Sequence, residues 1–211
     1  MIIFATKCWG KDYHKFLQQE FQNKKPSFNF DKNWLLINNR VPIVKFNCGA
    51  DFYIKVDKYA NKALKFFNLE KNSFRYNGYD GYVYSIAELV LLYLVPSIGY
   101  LCYIQGDVQV RGDWITPAIK VLENEPNVSV VSPLSAVNTW HNKNGYDYFF
   151  SDQAFVIRIP EFKQQIYFYK EPILDQYPFY AGNSFERMIG RYLHNTKRKR
   201  KILKEFYAYH S

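Results

Sequence analysis

The chain has 211 residues, 48% of them hydrophobic and 19% aromatic, which excludes a disordered polypeptide and allows one well-filled core. The formal charge of +9, concentrated in residues 194–206 (HNTKRKRKILKEF), points to an anionic partner (nucleic acid, anionic lipid or a phosphorylated substrate) or simply to a solvated helix face. No apolar stretch reaches the roughly 18 residues that span a bilayer, because the longest, residues 88–104, contains Glu88, Pro96 and Gly99.

Residues 2–6 (IIFAT) read as a first core strand, and their apolar run is too short for a signal peptide. Residues 11–21 carry apolar side chains at 13, 16, 17 and 21, a helical stripe that Lys24-Lys25-Pro26 breaks. Strands follow at 34–38 and 51–57, a helix at 58–69 and a loop at 77–82 (NGYDGY). Residues 85–95 read as a buried helix, with Ser85 and Glu88 at the spacing of a capping box and Pro96 as the stop. Residues 100–104 (YLCYI) form a central strand. A helix at 113–126 and a strand at 128–132 come next, then a polar and aromatic loop at 133–150. A strand at 153–159 is followed by Pro160, a helix at 184–194 has Ser184 as its cap, and the C-terminal segment folds back or extends. Cys8, Cys48 and Cys102 are too scattered for a metal site or a disulfide framework. No internal repeat interrupts this order. Strands alternating with helices predict an α/β fold: a single domain over 1–211, Rossmann-like, with a mostly parallel central sheet flanked by helices. In such sheets ligands bind beyond the carboxyl ends of the strands.

Four features could carry chemistry there. The central strand runs into Gln105-Gly106-Asp107, which suits a turn as well as an ion-binding carboxylate. Ser151-Asp152-Gln153 is an acidic turn directly before another strand. Residues 177–189 (YPFYAGNSFERMI) lead a loop into a helix whose first turn holds Glu186, a common answer to the helix dipole. His210 stands one residue from the end. A diphosphate needs a divalent cation, and Mg²⁺ or Mn²⁺ takes one or two protein ligands beside phosphate oxygens. Asp107 and His210 are candidates for that pair, and Asp152 or Glu186 for a general base on an acceptor hydroxyl.

In this order the segments IIFATK, WLLINN, YLCYIQGDVQV, SDQAFVIRI, YPFYAGNSFERMIGRYL and the terminal YAYH resemble a bacterial glycosyltransferase of the GT-A type, over nearly the whole chain. The resemblance implies a nucleotide-binding part at about 1–107, an acceptor-binding part at about 108–196 and a basic tail at 197–211. It places Gln105-Gly106-Asp107 where the family has Asp-X-Asp. Asp107 would hold the metal, and the first aspartate is replaced by Gln105, which can hydrogen-bond a ribose but bears no charge. Ala5, Thr6, Lys7, Asp12, Tyr13 and Asn38 (with Asn39 beside it) would border the nucleotide, and Gly106 completes the donor site. Asp152 and Glu186 are rivals for the acceptor-binding or catalytic carboxylate. His210 matches a terminal metal ligand of Mn²⁺ or Mg²⁺. Trp114 and Trp140 are core residues or sugar platforms.

The implied function is transfer of a sugar from a nucleotide-diphosphate donor, such as a UDP-sugar, to an acceptor hydroxyl of a surface glycan (lipopolysaccharide or capsule) or a lipid-linked precursor. The expected location is cytoplasmic, peripheral to the inner face of the membrane where the basic segment meets anionic lipid. Two alternatives use the same basic segment on DNA: a phage-type glycosyltransferase of modified bases, and a non-catalytic nucleic-acid-binding module. A nucleotidyltransferase would want a Gly-rich phosphate loop, for which Gly10-Lys11 is too little.

Overall fold

Two faces of one sheet are written into the first strand. The computed structural model describes residues 1–9, 21–38, 48–69, 78–135, 150–164 and 185–210, and opens with β1 (Ile2–Trp9). Ile3 and Ala5 join one hydrophobic cluster and Phe4 and Cys8 another, as the period of two along a strand requires. β2 (Lys32–Asn38) repeats the pattern, with Trp34 and Leu36 on the first side and Leu35 and Ile37 on the second. A strand buried on both faces must be covered by helices on both.

The sheet continues through β3 (Phe52–Lys55), β4 (Tyr100–Ile104), β5 (Val108–Val110), β6 (Val128–Leu134), β7 (Ala154–Arg158) and β8 (Lys199–His210). The eight strands lie in the order β3-β2-β1-β4-β7-β6-β8-β5. β1 through β4 are mutually parallel. β7 runs against both β4 and β6, β8 is parallel to β6, and β5 is antiparallel to β8. The sheet is therefore mixed, and the expectation of a mostly parallel one is corrected. Alternation of strands with helices says that strands are spaced by helices. It does not say where a strand inserts, and β7 enters between two earlier strands in reverse.

Helices α2 (Val56–Phe66), α3 (Gly78–Leu94), α5 (Ile159–Gln164) and α6 (Phe185–Thr196) contribute to the cluster on the Ile3 side. The short α1 (Phe21–Lys24) and α4 (Ile115–Asn124) contribute to the Phe4 side. α3 is the most enclosed: every residue from Ile86 to Leu92 is buried, Glu88 included. Three local expectations change. The segment 78–82 is the start of α3 rather than a loop, and Ser85 lies inside that helix rather than at its cap. Gly and Asp favour turns by propensity, but packing of a long apolar helix overrides so weak a preference. α2 begins at Val56, ending β3 at Lys55. At the start of α4 the Asp113 Oδ1 accepts the N–H groups of Ile115 and Thr116, both at 3.1 Å.

The C-terminal segment is the long strand β8. Lys197 takes a left-handed conformation (φ 57°) after α6. The Arg198 N–H then reaches the Leu193 carbonyl at 3.1 Å and that of Lys197 reaches His194 at 3.3 Å, a helix-ending turn that starts the chain back across the sheet. The three cysteines form no disulfide and are buried. Among the described residues no helix is long and apolar enough to cross a membrane. The helix expected at 11–21 falls outside the described residues up to Phe21, as do Ser184 and nearly all of the loop at 133–150.

Candidate functional site

Register brings the site together at the carboxyl ends of β1 and β4. Thr6 pairs with Ile104, and Ile104 with Ala154 of the antiparallel β7. One step further along, Lys7, Gln105 and Gln153 therefore share an edge, and the Gln105 N–H donates to the Gln153 carbonyl at 2.7 Å. The Ser151-Asp152-Gln153 turn is thus fastened to the end of the central strand by an extension of the ladder.

Lys7 projects to the α3 side of the sheet, where its ammonium lies 2.6 Å from Glu88 Oε1 and 3.8 Å from Asp152 Oδ2. The exposures of the three side chains are 2%, 1% and 21%, so this is a buried ion pair with a carboxylate at its mouth. The Tyr103 hydroxyl donates to the same Glu88 oxygen at 2.6 Å, while Glu88 Oε2 has no hydrogen-bond partner among the described residues. Burial raises the pKa of Asp152 to about 6; Lys7 pulls the other way, and Glu88 and Asp107 add to the rise.

Asp107 and His210 form the second part. Gly106 and Asp107 make a turn between β4 and β5, closed by the Val108 N–H donating to the Gln105 carbonyl at 3.0 Å. β8 pairs with β5 so that His210 stands opposite Val108. His210 Nδ1 then lies 3.4 Å from Asp107 Oδ2, and both side chains are more than half exposed (61% and 57%). Asp107 is therefore not the buried carboxylate that an apolar strand suggests; it is a turn residue that also faces His210. The other ring nitrogen, Nε2, lies 2.8 Å from Gln153 Nε2.

The structure thus gathers Lys7, Asp152, Gln105, Gly106, Asp107 and His210 at one end of the sheet. Ala5 and Thr6 lie just inside it and are fully buried. Asn38 closes β2, paired with Trp9. Glu186 stands in the first turn of α6, next to Phe185, which packs on Phe150 and Phe155 with ring centroids 5.8 Å apart in each pair. Trp114 is completely buried at the start of α4 and is a core residue. Asp12, Tyr13, Asn39 and Trp140 lie outside the described residues. Sequence reasoning gave no chemical role to Glu88, Tyr103 or Gln153. A signal for Glu88 existed: a carboxylate inside an otherwise apolar helix must find a partner.

A surface cavity of about 570 Å³ opens among Tyr100, Glu123, Arg158, Glu161 and Arg198. Those residues belong to the opposite end of β4 and β7. Its charges neutralise each other, with Glu161 bound by Arg158 at 3.0 Å and Arg198 at 3.4 Å. It is not part of the site.

No family model matches the chain, and no curated protein matches it. Solved structures do. Mouse xyloside xylosyltransferase 1, in its apo form, superposes with a TM-score of 0.61 at 8% identity, over 96% of this chain and 85% of that one. The galactosyltransferase LgtC, in complex with donor and acceptor sugar analogues, gives 0.55 at 13% identity, over 96% and 73%. An active-site mutant of LgtC gives 0.54 at 13% identity, over 96% and 72%. The chain has the GT-A glycosyltransferase fold.

Proposed function

We propose that this protein is a glycosyltransferase that moves a sugar from a nucleotide-diphosphate donor to an acceptor hydroxyl. The observation that carries the reading is the meeting of Asp107 and His210 beside the Lys7–Asp152 pair, at the sheet end where α/β folds bind ligands. The likeness to a xylosyltransferase and a galactosyltransferase supports it.

Asp107 and His210 would hold Mn²⁺ or Mg²⁺. Among the described residues no three His, Cys, Asp or Glu side chains converge into a closed cage. The pair fits a cation shared with a substrate: a hard carboxylate oxygen and an imidazole nitrogen, close together and exposed, leave coordination places for diphosphate oxygens. Bound there, the cation would neutralise the departing diphosphate. Gln105 would hydrogen-bond the ribose, and Ala5, Thr6, Lys7, Asp12, Tyr13 and Asn38 would border the nucleotide. Asp152 serves the acceptor. Its pKa of about 6 leaves it mostly ionised near neutral pH yet basic enough to accept a hydroxyl proton. Lys7 keeps it anionic, and Glu186 is the second candidate. The exposed Lys199, Lys201 and Lys204 begin β8 at the sheet end opposite the site, with Lys201 paired to Glu125 at 2.9 Å; they would hold the protein near an anionic surface, such as the inner face of a membrane that carries a lipid-linked precursor of a surface glycan, rather than touch the acceptor hydroxyl.

The test is a calorimetric and thermal-shift panel of UDP-, GDP-, CMP- and dTDP-sugars, with and without Mn²⁺, on wild type and Asp107→Ala. Cation-dependent binding of one donor, lost in the variant, is the expected result. Indifference to every donor, with salt-sensitive binding to duplex DNA instead, overturns the reading in favour of a nucleic-acid-binding module.

A further inference from the structure

Nothing above gives Gln153 a role, yet it is held in place at both ends. Its carbonyl is tied to the Gln105 N–H at 2.7 Å, and its own N–H lies 3.4 Å from Ser151 Oγ. Its side-chain amide meets His210 Nε2 at 2.8 Å. The ring it meets is itself anchored, because His210 pairs with Val108 across β5 and β8. The imidazole is thus clamped between an amide on Nε2 and the Asp107 carboxylate on Nδ1.

A neutral imidazole has one donor and one acceptor nitrogen. A side-chain amide presents a donor or an acceptor from nearly the same position, depending on which way it is turned. Two arrangements are self-consistent here. In one the amide NH₂ donates to Nε2, and Nδ1 carries the proton and offers it to Asp107. In the other the amide oxygen accepts a proton from Nε2, and Nδ1 turns a lone pair toward the carboxylate. The second sets a lone pair against an anion and is favourable only when a cation is held by both. A carboxylate at 153 would serve the second alone, an ammonium the first alone, and an apolar chain neither. An amide serves both.

We infer that Gln153 is a positioning residue for His210. It fixes the Nδ1–H tautomer when no cation is bound, and cation binding at Asp107 and His210 is linked to a flip of its amide that fixes the Nε2–H tautomer. The inference rests on the reading that Asp107 and His210 hold a divalent cation.

The full chain, labelled with ¹⁵N-histidine, is studied at alkaline pH, where imidazoles are neutral. Long-range ¹H–¹⁵N correlations show which ring nitrogen bears the proton, and the His210→Gln spectrum identifies the signal. Wild type is expected to show Nδ1–H alone and Nε2–H on adding diamagnetic Mg²⁺. Gln153→Glu is expected to show Nε2–H before any cation is added. Gln153→Met is expected to show no single tautomer and to bind Mn²⁺, counted as free ion by electron paramagnetic resonance, at least about tenfold more weakly, with its Tm unchanged. If Mn²⁺ binds in a manner sensitive to Asp107→Ala while the tautomer and affinity ignore Gln153→Met, the role of Gln153 is overturned and the cation site stands. If neither ion binds wild type at Asp107, both are overturned.

Discussion

Replacing Lys7 with methionine tests the buried part of the site. The substitution keeps all but the last atom of the side chain's length and an apolar stem but removes the ammonium 2.6 Å from Glu88 Oε1. Glu88 is 1% exposed and, among the described residues, its Oε2 already lacks a hydrogen bond and the Tyr103 hydroxyl is the one donor left to it, so it would remain a buried anion. Breaking one side of a buried pair costs about 3–5 kcal/mol, and the surviving hydroxyl bond puts the expectation near the lower end, about 3 kcal/mol. Urea unfolding followed by tryptophan emission measures it, since Trp34 and Trp114 are buried and report the core. Adding Glu88→Gln, which removes the stranded charge and keeps an acceptor for Tyr103, should restore at least about 2 kcal/mol. A loss under about 1 kcal/mol for Lys7→Met, or no recovery in the double variant, would refute the reasoning and leave Lys7 with no structural hold on Glu88.

Asp152→Asn should remove a pH dependence. Burial holds the folded-state pKa of Asp152 at about 6, above the ordinary aspartate value of 3.8. The folded state thus binds this proton more tightly than the unfolded one, so the stabilisation is complete below about pH 4 and is lost as pH rises through about 6. Between those limits wild type should lose about 3 kcal/mol relative to the variant, measured by matched urea titrations; parallel curves would sink the assignment. Asp107→Ala, at an exposed turn, should change stability by no more than about 0.5 kcal/mol while abolishing cation-dependent donor binding in calorimetry. Phe155→Ala, which removes a fully buried ring packed on Tyr103 at 5.0 Å and Phe150 at 5.1 Å, should cost about 3–5 kcal/mol in the same unfolding assay. Gly99→Ala should lower Tm by several degrees: Gly99 has φ +79°, and a Cβ there would sit 1.9 Å from the Met1 carbonyl oxygen.

What was legible in the sequence follows the short-range rules. The strand at 100–104 is observed within the same bounds, and those at 34–38, 128–132 and 153–159 within two residues, because period-two burial is a local property. The turn at Gly106-Asp107 and the acidic turn before β7 were visible for the same reason. The start of α3 was not, because its Gly- and Asp-bearing first turns look like a loop unless the helix they extend is seen to be enclosed.

By itself the sequence determined an α/β chain, the residue types available at its strand ends, and a basic C-terminal segment. Tertiary structure alone decided that β7 inserts antiparallel between β4 and β6, which carries Asp152 and Gln153 to the end of β4. It alone decided that β8 crosses the sheet to pair with β5, which sets His210 against Asp107 across a sequence distance of about a hundred residues. It also turned Glu88 from an apparent helix cap into the partner of Lys7. The physical reason is common to all three. Local propensity acts over a few residues, whereas strand order and the pairing of buried charges are settled by which long-range contacts exclude water from the most surface and leave the fewest charges without a partner.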